Sequence, residues 1–168
     1  MTIAQQLKIK EFPFEIKDSN GKEIYWEDSN GAWVKSEYDS KGNQIYFEDS
    51  EGFWVKREYD SEGKQIYFEN STGYWEKYKY DSKGNQIYWE TSNGYWDKRE
   101  YDSKSNRIYL ENSKGYWRKQ EYDSEGKEIY YENSNGIIID KRPKTEIQKA
   151  IDLLTKEGLI VDGKILKN

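Results

Sequence analysis

The chain has no cysteine and no histidine among its 168 residues, and it has only two prolines and one methionine. Without cysteine there is no disulfide framework, thiolate metal site or cysteine nucleophile, and without histidine there is no imidazole base or metal ligand. These absences exclude most familiar catalytic constellations. We therefore expect a protein that is not an enzyme and that uses no cofactor and no metal.

Long apolar runs are missing as well. No stretch of about 18 apolar residues could cross a membrane, and the first residues lack the basic start and apolar run of about 7 to 15 residues that mark an export signal. The net charge of -5 is spread along the chain without an acidic or basic block. We therefore expect a cytoplasmic protein with neither a nucleic acid nor a membrane as its partner.

Aromatic residues supply most of the apolar surface that this chain can bury, because it has few aliphatic residues. Only 34% of the chain is hydrophobic and 35% is charged, a balance that would indicate disorder in an unpatterned sequence. Seven Trp, sixteen Tyr and five Phe make up 17% of the residues, however. Each ring can bury about 150 to 250 Å², so the composition predicts a folded protein stabilised by large amphipathic side chains.

A 21-residue unit repeats along most of the chain. Each unit holds an Ile-Tyr pair and an Asp-Ser segment that is completed as Asp-Ser-x-Gly in five of the six units, and five units hold a Gly-x-Trp segment. Six units fill residues 18–142, while residues 1–17 and 143–168 break the period and are predicted to be an N-terminal cap with a first strand and a C-terminal cap. The Trp positions are Trp33, Trp54, Trp75, Trp96 and Trp117.

Two turn signals per unit alternate with short runs rich in Ile, Tyr, Trp and Phe, which predicts antiparallel strands joined by tight loops. The fold class is therefore mostly β: tandem hairpins that form one long, twisted or curled antiparallel meander. Asn43–Glu48 and Phe53–Tyr59 typify its two strands. An odd period would send equivalent side chains to opposite faces in successive units, so we predict two different loop geometries. Tyr46 then pairs with Lys56 and Phe47 with Val55, and the turn at Ser61 shifts the register by one.

One predicted face carries Ile45, Phe47, Val55 and Tyr59, and the other carries Tyr46, Glu48, Trp54 and Lys56. Because both faces hold aromatic rings, either the sheet coils so that units pack on their neighbours, or one face is kept for a partner.

The C-terminal region has a different pattern. Thr145 can cap a helix whose apolar positions Ile147, Ile151 and Leu154 recur at helical spacing and which stops at Gly158. Residues 159–166 then read as a hairpin on an Asp-Gly turn. We expect this tail to cover Ile137–Ile139 at one end of the array, and the segment Ile3–Phe14 to protect the other end. Alternatively, the sheet edges pair and give a homodimer.

Three resemblances rest on quoted motifs. Tyr38-Asp-Ser-Lys-Gly-Asn43 and its copies resemble the Tyr-Asp repeats of Rhs-type proteins, which implies hairpins in a large curved sheet. The aromatic hairpin with Gly-x-Trp is similar to choline- and glucan-binding repeats. Residues 11–33 resemble the opening of short tandem-repeat proteins encoded by phages and prophages. That resemblance implies an accessory protein acting inside a bacterial host.

Repeated charged residues have structural explanations. Asp39 and its copies lack the alternating oxygen ligands and terminal Glu of a calcium loop, and a turn-initiating role explains them. The Glu row that begins at Glu27 recurs identically, whereas a catalytic pair needs one singular environment. The Lys row that contains Lys56 is predicted to offset the Glu row across strands and to lie over Tyr rings.

The aromatic rows are the candidate partner-binding residues. They are either cross-strand ladders that hold the sheet together or rings that stack on a partner. Some positions also vary between otherwise identical units, as Val34, Val55, Glu76, Asp97 and Arg118 do. Specific recognition is therefore expected on the surface from Phe53 to Arg118. The candidate residues are Trp33, Trp54, Trp75, Trp96, Trp117, Phe53, Tyr74, Tyr95, Tyr116 and Arg118.

Two functions remain open at this stage. One is a non-enzymatic protein of phage or prophage origin that binds a host protein, such as a defence effector, and inhibits it. The alternative is a carbohydrate- or cell-wall-binding module of the choline- or glucan-binding kind.

Overall fold

The protein is mostly β, with thirteen antiparallel strands in one open sheet whose order follows the chain. A computed structural model describes residues 1–157 and the strand residues 160–161 and 164–165. The elements in chain order are α1 (Ile3–Leu7), β1 (Phe14–Lys17), β2 (Glu23–Glu27), β3 (Trp33–Tyr38), β4 (Gln44–Asp49), β5 (Trp54–Tyr59), β6 (Gln65–Asn70), β7 (Trp75–Tyr80), β8 (Gln86–Thr91), β9 (Trp96–Tyr101), β10 (Arg107–Asn112), β11 (Trp117–Tyr122), β12 (Glu128–Asn133), β13 (Ile138–Asp140), α2 (Glu146–Lys156), β14 (Ile160–Val161) and β15 (Lys164–Ile165).

Both loops of a unit have the same geometry, so the prediction of two loop types is wrong. The Gly52 amide donates to the Asp49 carbonyl, and Gly52 has a φ of 87°, which a residue without a Cβ adopts without strain. The loop at Gly63 repeats this pattern, with its amide donating to the Asp60 carbonyl and a φ of 85°. In both loops the Asp side chain also accepts backbone N–H groups, and Asn70 does the same at the equivalent position of the next unit, which explains why Asp and Asn favour this turn.

A β-bulge in the strands, and not a second kind of turn, keeps equivalent side chains on the same face despite the odd period of 21 residues. Across β4 and β5, Tyr46 pairs with Lys56 and Phe47 with Val55, as predicted. Across β5 and β6, Glu58 pairs with Tyr67 but Tyr59 pairs with Gln65, which leaves Ile66 as the extra residue. The same shift recurs at each second hairpin of the described array. Ile45 is therefore a bulge residue and not a regular member of the Phe47 face, as the sequence had suggested.

The chain divides into two compact units, residues 1–117 and 118–168. Within residues 1–117, extensive strand contacts join only strands that are consecutive in sequence, so the strands of this unit do not fold back on one another. Among the described residues, the buried hydrophobic side chains are Ala4, Tyr25 and Val55. The first unit is thus a sheet with two accessible faces and almost no closed core.

The C-terminal prediction is partly right. Thr145 caps α2 by accepting the Gln148 amide, and β14 pairs with β15 as a hairpin. The predicted end at Gly158 and the Asp-Gly turn lie outside the described residues. Ile137, Ile138 and Ile139 are 51%, 61% and 43% exposed, so the described helix α2 does not cover them as predicted. The apolar face of α2 is also largely exposed, as Ile147 shows, so neither surface covers the other in this unit.

The two described helices are both too short and too polar to cross a lipid bilayer.

Candidate functional site

The sheet has two chemically different faces, because side chains alternate along a strand and paired residues share a face. One face carries Phe47 opposite Val55 and Phe68 opposite Glu76. We call it the variable face, since the residues in these registers differ from unit to unit. The other carries Tyr46 opposite Lys56. We call it the repeated face, because its Tyr, Glu, Trp and Lys rows keep the same residue in successive units.

Lysines and glutamates order the rings of the repeated face. The Nζ atoms of Lys56, Lys77 and Lys98 lie 5.0, 4.7 and 4.9 Å from the ring centroids of the Trp residues two positions earlier. The predicted placement over Tyr rings holds for Lys35, which lies 5.5 Å from the centroid of Tyr46. The predicted opposition of the Lys and Glu rows is confirmed by register, with Lys56 opposite Glu69.

Each repeated-face tyrosine is coupled to the glutamate two residues later. The Tyr130 hydroxyl donates to Glu132 Oε2 at 2.9 Å. Burial raises the pKa of Tyr46, and a hydrogen bond to Glu48 raises it further. The same two causes, with the charge of the neighbouring glutamate, raise the pKa of Tyr67 and Tyr88. The Tyr–Glu pair is therefore a structural constant of this face.

Aromatic residues of the loops pack on the variable face. Phe53 contacts Phe47 with ring centroids 6.4 Å apart, and Tyr74 contacts Phe68 at 6.3 Å. Tyr95 meets Trp89 edge-on at 5.4 Å. The loop ring changes from Phe to Tyr and the strand ring from Phe to Trp, so the shape and polarity of this surface change along the array.

Polar groups on the variable face differ even more. Glu76 accepts hydrogen bonds from the hydroxyls of Tyr74, at 2.7 Å, and of Tyr78. Burial and the bond to Glu76 raise the pKa of Tyr78 well above its ordinary value. At the equivalent position of the next unit, Asp97 is only 4% exposed and pairs with Arg99 at 2.8 Å. Its Oδ1 atom and Trp89 Nε1 are buried without hydrogen-bond partners.

The structure separates the predicted site residues into two groups. Trp33, Trp54, Trp75, Trp96 and Trp117 lie on the repeated face. Phe53, Tyr74 and Tyr95 contact the variable face, Tyr116 occupies the equivalent loop position, and Arg118 lies in the second unit opposite Asn133. Sequence reasoning missed Tyr78 and Arg99 as members of the variable surface. Their variation between units was visible, and because they lie two positions after Glu76 and Asp97 in the same strands, the alternation of side chains places them on the same face.

The N-terminal segment covers the first Tyr–Glu pair. Glu27 is 1% exposed and accepts the Thr2 hydroxyl at 2.5 Å, the Ala4 amide at 3.1 Å and the Tyr25 hydroxyl at 2.8 Å. Burial alone would raise the pKa of Glu27, but these hydrogen bonds outweigh it, and the pKa lies below its ordinary value. The identical sequence of the Glu row thus concealed one singular environment.

Beside this pair lies a cavity of about 770 Å³. Ile3 of the N-terminal segment lines it together with Ile24, Tyr25 and Lys35 of the sheet. The N-terminal segment therefore closes over the repeated face at the first unit. Among the described residues no cluster of three or more acidic side chains could hold a metal ion.

Comparisons with known proteins give a fold likeness. A scan against protein-family models finds no matching family, and a search of curated proteins finds no match. The crystal structure of TcdB2-TccC3-Cdc42 aligns with a TM-score of 0.51 at 17% identity, over 70% of this chain and 7% of that chain. The crystal structure of TcdB2-TccC3-TEV aligns with a TM-score of 0.51 at 16% identity, over 78% and 8% of the two chains.

These neighbours are Tc toxin components with Rhs-like repeats. This chain spans less than a tenth of their length, and at such identities the likeness shows the fold alone. The hairpin-sheet architecture implied by the Rhs-type motif is therefore confirmed.

Proposed function

We propose that this chain is a non-enzymatic scaffold that binds one specific partner protein through its variable face. The partner is a host protein, such as a defence effector, that the chain blocks inside the bacterial cytoplasm. The resemblance of residues 11–33 to phage and prophage repeat proteins motivates the origin and the inhibitory role. Neither a nucleic acid nor a membrane is part of this proposal.

The observation that carries the proposal is the concentration of sequence differences on one face. A sheet of identical units would be satisfied by the same residues in each register, and the Tyr, Glu, Trp and Lys rows of the repeated face keep theirs, although Lys79 occupies the register of Glu58 there. The register of Val55 instead changes from Val to Glu76 and then to Asp97. Each of these carboxylates needs partners of its own, Tyr74 and Tyr78 for Glu76 and Arg99 for Asp97. Val55 needs none, so stability alone does not favour the change. Recognition of one partner does, because it needs a pattern that differs from unit to unit.

The variable face also has the composition of a protein-binding surface. Tyr, Trp and Arg are enriched among residues that dominate binding energies, and this face displays Tyr78, Trp89 and Arg99. The buried Trp89 Nε1 and Asp97 Oδ1 atoms still offer a donor and an acceptor for which no partner exists in the described part of the chain. A bound protein could satisfy both groups after small side-chain movements.

The carbohydrate-binding alternative would rely on the evenly spaced Trp rings of the repeated face. Sugars stack on an open ring face, but a Lys Nζ lies within about 5 Å of the ring centroids of Trp54, Trp75 and Trp96. Each of these rings has one face occupied by a cation. This arrangement counts against a row of sugar-stacking platforms.

A pair of adjacent substitutions tests the proposal. Glu76 and Lys77 are neighbours in β7 and point to opposite faces. The tagged wild-type chain, Glu76→Gln and Lys77→Gln are incubated with bacterial lysate, and captured proteins are quantified. We expect one stoichiometric protein whose capture falls at least tenfold with Glu76→Gln and is unchanged with Lys77→Gln. Capture of no such protein, or equal effects of the two variants, would contradict the variable face as the binding surface.

A further inference from the structure

The N-terminal segment shows what the repeated face can bind. Its short helix begins at Thr2, whose hydroxyl and the nearby Ala4 amide both donate to Glu27. Tyr25 supports the same carboxylate from the side, and Ala4 is small enough to be fully buried against the sheet. The seat for this segment consists of a Tyr–Glu pair and a groove beside it, of which Ile3 forms part of the wall.

The same seat recurs along the array without a covering segment. In the third unit a groove of about 470 Å³ is lined by Ile66, Tyr67 and Lys77, the equivalents of Ile24, Tyr25 and Lys35. In the fourth unit, Ile87, Tyr88 and Lys98 line a groove of about 630 Å³. The repeated face is thus continuous with an interface that the chain already makes with itself.

We infer that these uncovered seats bind a protein segment that starts a short helix with Thr or Ser, followed by apolar and small residues. The glutamate carboxylate accepts the hydroxyl and one backbone N–H of the helix start, two donors that a helix otherwise leaves unpaired. An apolar side chain of the segment lies along the groove beside the Tyr ring, in the position of Ile3. This interface is on the opposite face from the partner-binding surface proposed above and stands independently of it.

Charge favours this occupant over an extended or acidic segment. The positive end of a helix dipole is stabilised by a carboxylate, and a hydrogen bond to an ionised acceptor is stronger than a neutral one. An acidic segment would meet the negative Glu row directly. The lysines beside these carboxylates, such as Lys56 opposite Glu69, lie over the Trp rings and already face the Glu row.

The tryptophans allow a direct test, since five lie on the repeated face and Trp26 and Trp89 lie on the variable face. The probe is a synthetic peptide of residues 1–12, titrated to millimolar concentration into the full-length ¹⁵N-labelled chain. Indole N–H signals are assigned with single Trp→Phe variants. Free peptide lacks the tethering that holds the natural segment in place, so binding is expected to be weak and fast-exchanging.

We expect saturable shifts of the Trp54, Trp75 and Trp96 indoles and none for Trp26 or Trp89. A peptide with Thr2→Val, which keeps the shape but removes the hydroxyl, should bind at least fivefold more weakly. In the Glu69→Gln chain the Trp75 indole, which lies opposite residue 69, should stop responding while Trp54 and Trp96 still respond. Glu51→Gln removes the same charge from an exposed loop and should change nothing.

Three outcomes would overturn the inference: no saturable shift of the three repeated-face indoles, equal binding of the Thr2→Val peptide, or shifts of Trp26 and Trp89. The dispersion of the unaffected indole signals shows whether each variant is folded. The partner protein is proposed to bind the variable face, and the peptide is proposed to bind the repeated face. Failure of either proposal therefore leaves the other testable.

Discussion

Replacing Glu27 by Gln removes one charge from the most completely buried acidic group of the described chain. The carboxylate accepts three hydrogen bonds, from the Thr2 hydroxyl, the Ala4 amide and the Tyr25 hydroxyl. Glutamine keeps one carbonyl acceptor but presents an NH₂ group in place of the second oxygen. At least one of the three donors therefore loses its acceptor inside a site that water does not reach.

The cost follows from these contacts. A hydrogen bond to a charged group contributes about 1.5 to 3 kcal/mol, and a buried donor left unpaired costs about 1 to 3 kcal/mol. We therefore expect Glu27→Gln to weaken docking of the N-terminal segment by about 2 to 3 kcal/mol, since one acceptor survives. The effect on global unfolding cannot exceed the docking free energy, because once α1 has detached the remaining hairpins no longer feel the substitution.

Hydrogen exchange of the Ala4 amide measures docking directly, and a urea melt measures the rest of the sheet. Glu48→Gln is the matched control, because Glu48 has the same register in the next unit but no segment covers it. The Glu48→Gln substitution should leave the hydrogen-exchange protection of the Ala4 amide unchanged.

The pH dependence of docking adds a second check, because the hydrogen bonds lower the pKa of Glu27 below its ordinary 4.5.

A carboxylate whose pKa is lowered by folding stabilises the folded form above its unfolded pKa. This contribution is lost as the pH falls through the folded pKa. Docking in the wild type should therefore be full at neutral pH and weaken below about pH 4.5, while Glu27→Gln should lack this step. Equal Ala4 protection in the wild type and in Glu27→Gln at pH 7 would refute the buried-acceptor account.

Three further predictions concern stability and association. Trp75→Ala should lower the free energy of unfolding by about 2 to 3 kcal/mol in a urea melt. This loss is smaller than for a Trp in a closed core, because the ring is only partly buried and its removal leaves no closed cavity. A loss below about 1 kcal/mol would mean that the Trp row does not hold the sheet together. Ser105→Gly should raise the free energy of unfolding by about 0.5 to 1 kcal/mol, because Ser105 has a φ of 65° where the equivalent loops have Gly. Gly63→Ala should lower it for the same reason. Deleting residues 143–168 should leave light scattering unchanged, because the tail leaves Ile137–Ile139 exposed; aggregation of the truncated chain would show that the tail protects the edge after all.

Much of the fold could be predicted from the sequence because its signals are local. The Asp-Ser-x-Gly turns, the strand runs and the 21-residue period each depend on neighbouring residues. The register of Tyr46 with Lys56 also followed from the short loop between them. The bulge at Ile66 could not be located, because it is a backbone compromise between two identical turns and an odd period, and the Ile that fills this position in the units is equally typical of a regular strand.

The candidate site was harder to predict because it depends on which residues share a face. The Trp row and the loop aromatics seemed to form one surface in the sequence, but the structure puts them on opposite sides. Glu27 seemed identical to Glu48, yet only Glu27 is covered, and the cover comes from Thr2 and Ala4, far away in sequence. Such long-range contacts leave no periodic signal.

The bulge explains how this chain keeps a constant face and a variable face on opposite sides of the sheet. Without it, an odd period would place each unit's Tyr–Glu pair on alternating faces, and neither face could carry an unbroken row. With one extra residue per unit, Tyr46, Tyr67 and Tyr88 share a face, and so do Val55, Glu76 and Asp97. Cross-strand contacts on the repeated face then stabilise every hairpin in the same way. The opposite face is free to change from unit to unit at little cost to the array, which is the physical condition for a repeat protein to acquire a specific partner.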